Sequence, residues 1–160
     1  MMSLKTLRYA ALILSALSLG MGFCHLMELP ARINWSADLW VGSTVEGGLY
    51  QMFGSLGAVI VVLNVIVLVT LAIRLYRHRI VVRWLAIFAA LMYLLALVFW
   101  FILVAPANVQ LATWLGGHVP PDWASWRLRW ELGHAFNTVL QMLGFAALAW
   151  SVLEETPAEH

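Results

Sequence analysis

Four long apolar runs dominate this 160-residue chain and leave few folds open to it. They extend from about Leu7 to Leu29, Thr44 to Leu75, Ile80 to Ala105, and from a Pro120-Pro121-Asp122 lead-in to about Leu153. Each is long enough to cross a hydrocarbon core of roughly 30 Å at about 1.5 Å of rise per residue. In lipid every backbone N–H and C=O must be bonded internally, which makes these runs helices. The expectation is an all-α integral membrane bundle of four transmembrane helices, one domain over residues 1–153 with a frayed acidic tail over 154–160. The lipid bilayer is then its first partner. Composition agrees: 11% of residues are charged, against about 25% in a soluble domain.

Charge and cysteine content remove several function classes. A net charge of +1 gives no reason to expect nucleic acid, and the one basic block, Arg74 to Arg83, lies between two apolar runs. The single cysteine, Cys24, excludes an internal disulfide framework and CxxC chemistry. Within its apolar run it reads as a buried, inert thiol. Lys5 and Arg8 before Ala10 to Phe23 resemble a signal peptide, but the run continues to Leu29 without a small-x-small site. It reads as a retained membrane helix.

Local signals set the boundaries. Pro30 ends or kinks the first helix, and Pro106 kinks or interrupts the third. Ser43 and Glu46 have capping-box spacing for the second, and Asp122 is placed to cap the fourth. Gly54 and Ala58 make a small-xxx-small pair for close helix approach. Trp35 and Trp40 suit the headgroup level. Four helices put both termini on one side. Lys5, Arg8, Arg74, Arg77, Arg79 and Arg83 make six basic residues there, against Arg32, Arg127 and Arg129 on the other side. The positive-inside rule places the termini in the cytoplasm and the protein in the cell (inner) membrane.

The fourth helix carries a polar stripe at one end only. At about 100° per residue, Arg127, Glu131, His134, Thr138 and Gln141 share a narrow arc, flanked by Trp130 and Asn137. Ionisable groups at membrane depth are costly and face a bundle interior or a wet cavity. His25 lies three residues deeper than Glu28 on the first helix, and His134 three residues deeper than Glu131 on the fourth. If these antiparallel helices are neighbours, histidine stands level with histidine and carboxylate with carboxylate. Glu46, Tyr50 and Asn108 fall in the same outer part, so one outer-leaflet pocket can collect them all.

Three chemistries compete for that cluster. One is a metal held by His25, Glu28, Glu131 and His134, since E-x-x-H projects two ligands together; a complete dinuclear set is absent, leaving a mononuclear site. Another is haem between His25 and His134. The last is a metal-free pocket for an aromatic or quinone-like molecule, with His134 or Glu131 moving protons. Against all three stands a structural account. Arg127 with Glu131 and Glu28 with Arg32 are i, i+4 pairs, Glu46 caps a helix, the tryptophans anchor at the interface, and Tyr50, Asn64 and Asn108 join helices.

Four segments carry a resemblance: GFCHLMELP ending the first helix, LYQMFGSLGA in the second, PANVQL after the third, and DWASWRLRWELGHAFNTVLQ opening the fourth. Together they cover most of the chain, which resembles the anthrone oxygenase-like family of small integral membrane proteins, many of whose bacterial members have no assigned function. The most specific part is PxN followed by W-x-x-x-H-x-x-N/R, here Pro106, Asn108, Trp130, His134 and Asn137. Many members carry an arginine where this chain has Asn137. The resemblance implies four transmembrane helices and oxidation of an activated phenolic ring carbon by dioxygen, without a dedicated cofactor. On that analogy His134 with Glu131 is the base, Asn108 and Arg127 bind the anionic oxygen, and Glu46, Tyr50, Trp130 and Asn137 line the substrate pocket.

Two functions follow as expectations: a membrane oxidoreductase of the oxygenase kind acting on a hydrophobic aromatic, or a non-enzymatic protein whose cluster organises the bundle or holds a lipid, quinone, haem or metal. The topology is testable directly. A reporter fused after Leu153 should signal from the cytoplasm, and one inserted within residues 31–48 from the opposite side. A far-side signal from the C-terminal fusion overturns the assignment.

Overall fold

The computed structural model describes residues 3–46, 51–114 and 116–155. Among these there are helices and turns and no strand. The helices are α1 (Leu4–Arg32), α2 (Ala37–Val41), α3 (Gln51–Arg74), α4 (Ile80–Phe99), α5 (Ala105–Ala112) and α6 (Trp123–Leu153), with π-helical turns at Gly42–Glu46 and Trp100–Val104. The second π-helical turn joins α4 and α5 into one span, Ile80–Ala112. With α1, α3 and α6 it makes four helices long and apolar enough to cross a membrane. They form an all-α bundle in which α1 packs on α3, α3 on α4, α4 on α6 and α6 on α1.

Ion pairs close the end that carries the termini. Arg8 pairs with Glu155, His78 Nδ1 lies 3.1 Å from the same carboxylate, and Arg79 donates to the Glu154 carbonyl at 2.8 Å. Glu154 and Glu155 are therefore docked rather than frayed; residues 156–160 of the expected tail lie outside the described residues. Beneath this cap sits an apolar core including Leu7, Leu68, Leu71, Val82 and Leu148. Midway along the bundle, Ser15 Oγ donates to Asn64 Oδ1 at 2.9 Å and Tyr93 Oη donates to the Ser15 carbonyl at 3.0 Å. That knot ties α1, α3 and α4 where apolar contact alone gives no preference over lipid. Ser18 Oγ to Gln141 Oε1, 3.1 Å, ties α1 to α6.

Several expectations are corrected. Pro30 does not stop α1, which runs on to Arg32. Pro106 does interrupt the regular helix, which gives way to the π-helical turn Trp100–Val104 before α5 starts, though the helical path continues through it. Proline has no N–H for the carbonyl four residues back, and Arg129 supplies that donor: its NH2 bonds the Ile102 carbonyl at 2.7 Å and its Nε the Leu103 carbonyl at 3.1 Å. Ser43 caps no helix but lies within the first π-helical turn, its Oγ donating to the Trp40 carbonyl. Asp122 does precede α6, yet its carboxylate accepts from Trp126 Nε1 at 3.1 Å and caps no backbone N–H. Gly54 and Ala58 are exposed; the close approach is at Gly57, where an added Cβ would lie 3.0 Å from Met21 Sδ. Cys24 is exposed rather than buried, because a lipid-facing position is as apolar as a core one.

Tight packing of α6 on α4 gives a sharp test. A Cβ on Gly144 would meet the Tyr93 ring at 2.8 Å, whereas one on Gly20 would meet nothing within 4 Å. Gly144→Ala should lower the unfolding temperature in detergent, since overpacking costs about 1–3 kcal/mol. Gly20→Ala should hold or raise it through helix propensity, by up to about 1 kcal/mol.

Candidate functional site

The polar residues gather at the end opposite the termini. There α1 ends, the 37–46 segment folds across, and α6 begins. Arg32 is 1% exposed in its side chain and Glu131 is fully buried. Arg32 Nε donates to Glu131 Oε1 at 2.8 Å, and Trp40 Nε1 donates to the same oxygen at 2.7 Å. Arg32 NH2 reaches Thr44 Oγ1 at 2.6 Å. Glu28, one turn back on α1, lies 3.9 Å from Arg32 Nε. The guanidinium carbon is 5.2 to 5.8 Å from the ring centres of Trp35, Trp40 and Trp130, within cation–π range.

One turn deeper stand the histidines. The His25 and His134 rings stack with centroids 4.1 Å apart and planes 24° from parallel. Trp130 packs edge-on against both, at 5.1 Å and 4.4 Å. Phe53 of α3 closes on His25 at 5.7 Å. Asn108 of α5 accepts from Trp130 Nε1 at 2.8 Å and so fixes that indole. His25 is buried and His134 half-buried. Three residues further along α6, Asn137 is buried with neither amide atom hydrogen-bonded among the described residues. Thr138 bonds back to the His134 carbonyl and turns toward Gly22, where an added Cβ would strike it at 2.8 Å. The small residue lets α1 come close enough for the two imidazoles to touch.

The structure sorts the residues named from sequence. It joins His25, His134 and Trp130 in ring contact, with Glu131 and Glu28 attached through Arg32. Arg127 is directed elsewhere: it donates to the Trp35 carbonyl at 2.7 Å and lies over Trp123, not beside Glu131 as an i, i+4 partner. Glu46 is exposed at the end of its π-helical turn, and Tyr50 lies outside the described residues. The four-residue metal set is not gathered into one group. Among the described residues no three His, Cys, Asp or Glu side chains come close enough to hold an ion. Glu131 is committed to Arg32 and Trp40, and stacked imidazoles aim their lone pairs in parallel planes rather than at a shared point. As placed, the two rings lie directly against each other. The tryptophans are corrected as well: Trp40, Trp114 and Trp130 are core residues of this end, not lipid anchors.

Sequence reasoning missed Arg32, Trp40 and Thr44 as parts of the site. Arg32 has a ready partner in Glu28 on its own helix, which hides the pair across helices. The available signal was depth, because the end of one helix and the start of its antiparallel neighbour meet. No protein-family model, curated protein or solved structure matches the chain. Its function must be read from its own residues.

Removing one partner of a buried ion pair leaves an uncompensated charge and costs about 3–5 kcal/mol, whereas replacing both with apolar groups is often near neutral. Arg32→Met alone should therefore destabilise the protein strongly in denaturant titrations in micelles. Arg32→Met with Glu131→Leu should recover most of the loss. Additive losses in that cycle would show that the two side chains are not coupled.

Proposed function

We propose that this chain is a multi-pass protein of the inner membrane, termini cytoplasmic, whose outer-leaflet cluster binds and oxidises a hydrophobic aromatic or quinone-like molecule. The observation that carries this reading is the stacked His25–His134 pair together with the unbonded amide of Asn137 on the same face of α6. Buried polar atoms are nearly always satisfied, so an amide with both ends free calls for a partner. A phenolic or carbonyl oxygen is such a partner, and the imidazole of His134, one turn back on α6, is a proton acceptor. Two imidazolium rings at 4.1 Å would repel, so the pair suits one added proton at a time.

The roles change from those the motifs suggested. Glu131 accepts from Arg32 and Trp40 on one oxygen, which makes it an anchor and leaves proton transfer to His134 and His25. Asn108 positions Trp130, and Arg127 holds the connection after α1. In the oxygenase reaction implied by the motif resemblance, a ring CH2 loses both hydrogens and gains one oxygen as a carbonyl. The other atom of dioxygen leaves as water. His134 would take the first proton, and Asn137 would donate its N–H to the oxygen on which charge develops.

A second reading has its own support. Glu131, Arg32, Trp40 and Trp130 form a packed network that organises the bundle without any guest. One experiment separates the two. The full chain in lipid nanodiscs is given a trihydroxyanthrone, and oxygen uptake is followed with quinone absorbance. The enzyme reading expects turnover above protein-free nanodiscs, a loss of at least about 100-fold in His134→Ala, and an unchanged unfolding temperature. Asn137→Ala should raise KM. Turnover at the blank level, with His134→Ala only lowering thermal stability, leaves the structural account standing.

A further inference from the structure

The terminal end carries a feature that the distal cluster does not use. Of the cations there, Arg8 and His78 engage Glu155, and Arg79 engages Glu154. Arg74 and Arg77 are exposed. Among the described residues neither makes an ion pair or a side-chain hydrogen bond. With Ile73 and Tyr76 they line a recess of about 380 Å³. A second groove, about 510 Å³ and almost wholly apolar, lies along α4 on Ile80, Val81, Trp84, Leu85 and Phe88. Arg83 joins the two. Its guanidinium carbon is 5.4 Å from the Tyr76 ring centre and 5.5 Å from that of Trp84, and its NH1 donates to the Tyr76 carbonyl at 3.4 Å. A cationic mouth thus adjoins an apolar groove. From Ile80 to Phe88 that groove descends along the helix axis by about 12 Å, at about 1.5 Å per residue.

We propose that recess and groove together hold one anionic phospholipid, its phosphate at Arg74 and Arg77 and an acyl chain along Trp84 and Phe88. The charges select the headgroup: two arginines without partners among the described residues suit a phosphate, which they can bind bidentately. The groove selects a lipid over a free anion, because a free phosphate has no use for it. Position agrees, since a basic cluster beside a membrane span meets the anionic lipids of the cytoplasmic leaflet. The proposal is independent of the histidine site.

The test uses the detergent-solubilised full chain, titrated with phosphatidylglycerol or phosphatidylcholine of identical acyl chains, read by native mass spectrometry and thermal unfolding. Phosphatidylglycerol should bind at least ten times more tightly than phosphatidylcholine and raise the unfolding temperature. Arg74→Gln and Arg77→Gln should each weaken it about five-fold, and the double variant should abolish the preference. Trp84→Ala should weaken both lipids alike. Lys5→Gln, removing an exposed charge at the same end, should leave the preference intact. Equal binding of the two lipids overturns the proposal, as does an equal loss in Lys5→Gln, which would mean diffuse surface charge. Stabilisation by inorganic phosphate alone overturns it in favour of a free-anion site.

Discussion

The distal half of the molecule depends on one buried ion pair. Arg32 sits at the last turn of α1 and Glu131 in the third turn of α6, 99 residues apart, with both side chains out of solvent. Such a pair adds little net stability compared with apolar side chains of the same size. What it adds is specificity, because each charge is tolerable only in this geometry. Thr44 and Trp40 donate or accept within the same network, so the segment after α1 is drawn over the end of the bundle rather than left at the interface. Trp130 then stands between the ion pair and the histidines, touching Arg32 on one side and both imidazoles on the other. The stacking of His25 on His134 is in this sense a consequence of where Arg32 finds its carboxylate.

A second constraint shapes the opposite wall. The π-helical turn Trp100–Val104 comes immediately before Pro106, and Arg129 reaches back from α6 to bond the carbonyls there. Gly133 packs on Leu103 and Val104, and Gly144 on Met92 and Tyr93. Asn137 lies between those glycines on α6, which puts it level with the start of the turn. Turns of this kind are frequent at functional sites because they shift the helix by one residue and re-aim its groups.

Much of this was legible in the residues. Four spans follow from run length. The antiparallel levels of His25 with His134 follow from counting inward from the helix ends. Asn64 stands out as a polar side chain in an apolar run, although its partner Ser15 on α1 does not. What was not legible has one common cause. Lipid and protein interior are equally apolar, so the pattern along α1 and α3 does not say which face looks inward. Cys24 and the Gly54–Ala58 pair were misplaced for that reason, and Gly57 took the close contact instead. The π-helical turns leave no periodic trace. Tryptophan carries another ambiguity, since its one N–H serves the headgroup region or a buried carboxylate equally well. Trp40 chose Glu131.

The side-chain partners also bear on orientation. A count of six basic residues against three is a statement about charge, and partners change what each charge offers the membrane. At the distal end Arg32 is neutralised by Glu131, while Arg127 and Arg129 spend their donors on backbone carbonyls at 2.7 Å. At the terminal end Arg8 and Arg79 are paired with the last two described glutamates, while among the described residues Lys5, Arg74, Arg77 and Arg83 have no carboxylate partner. Ion pairing thus leaves Lys5, Arg74, Arg77 and Arg83 at one end against Arg127 and Arg129 at the other, the same two-to-one ratio as the raw count. A bilayer that is anionic on its cytoplasmic face attracts that end. On the proposed orientation, the charges that would set it during insertion are also the ones proposed to hold a lipid afterwards.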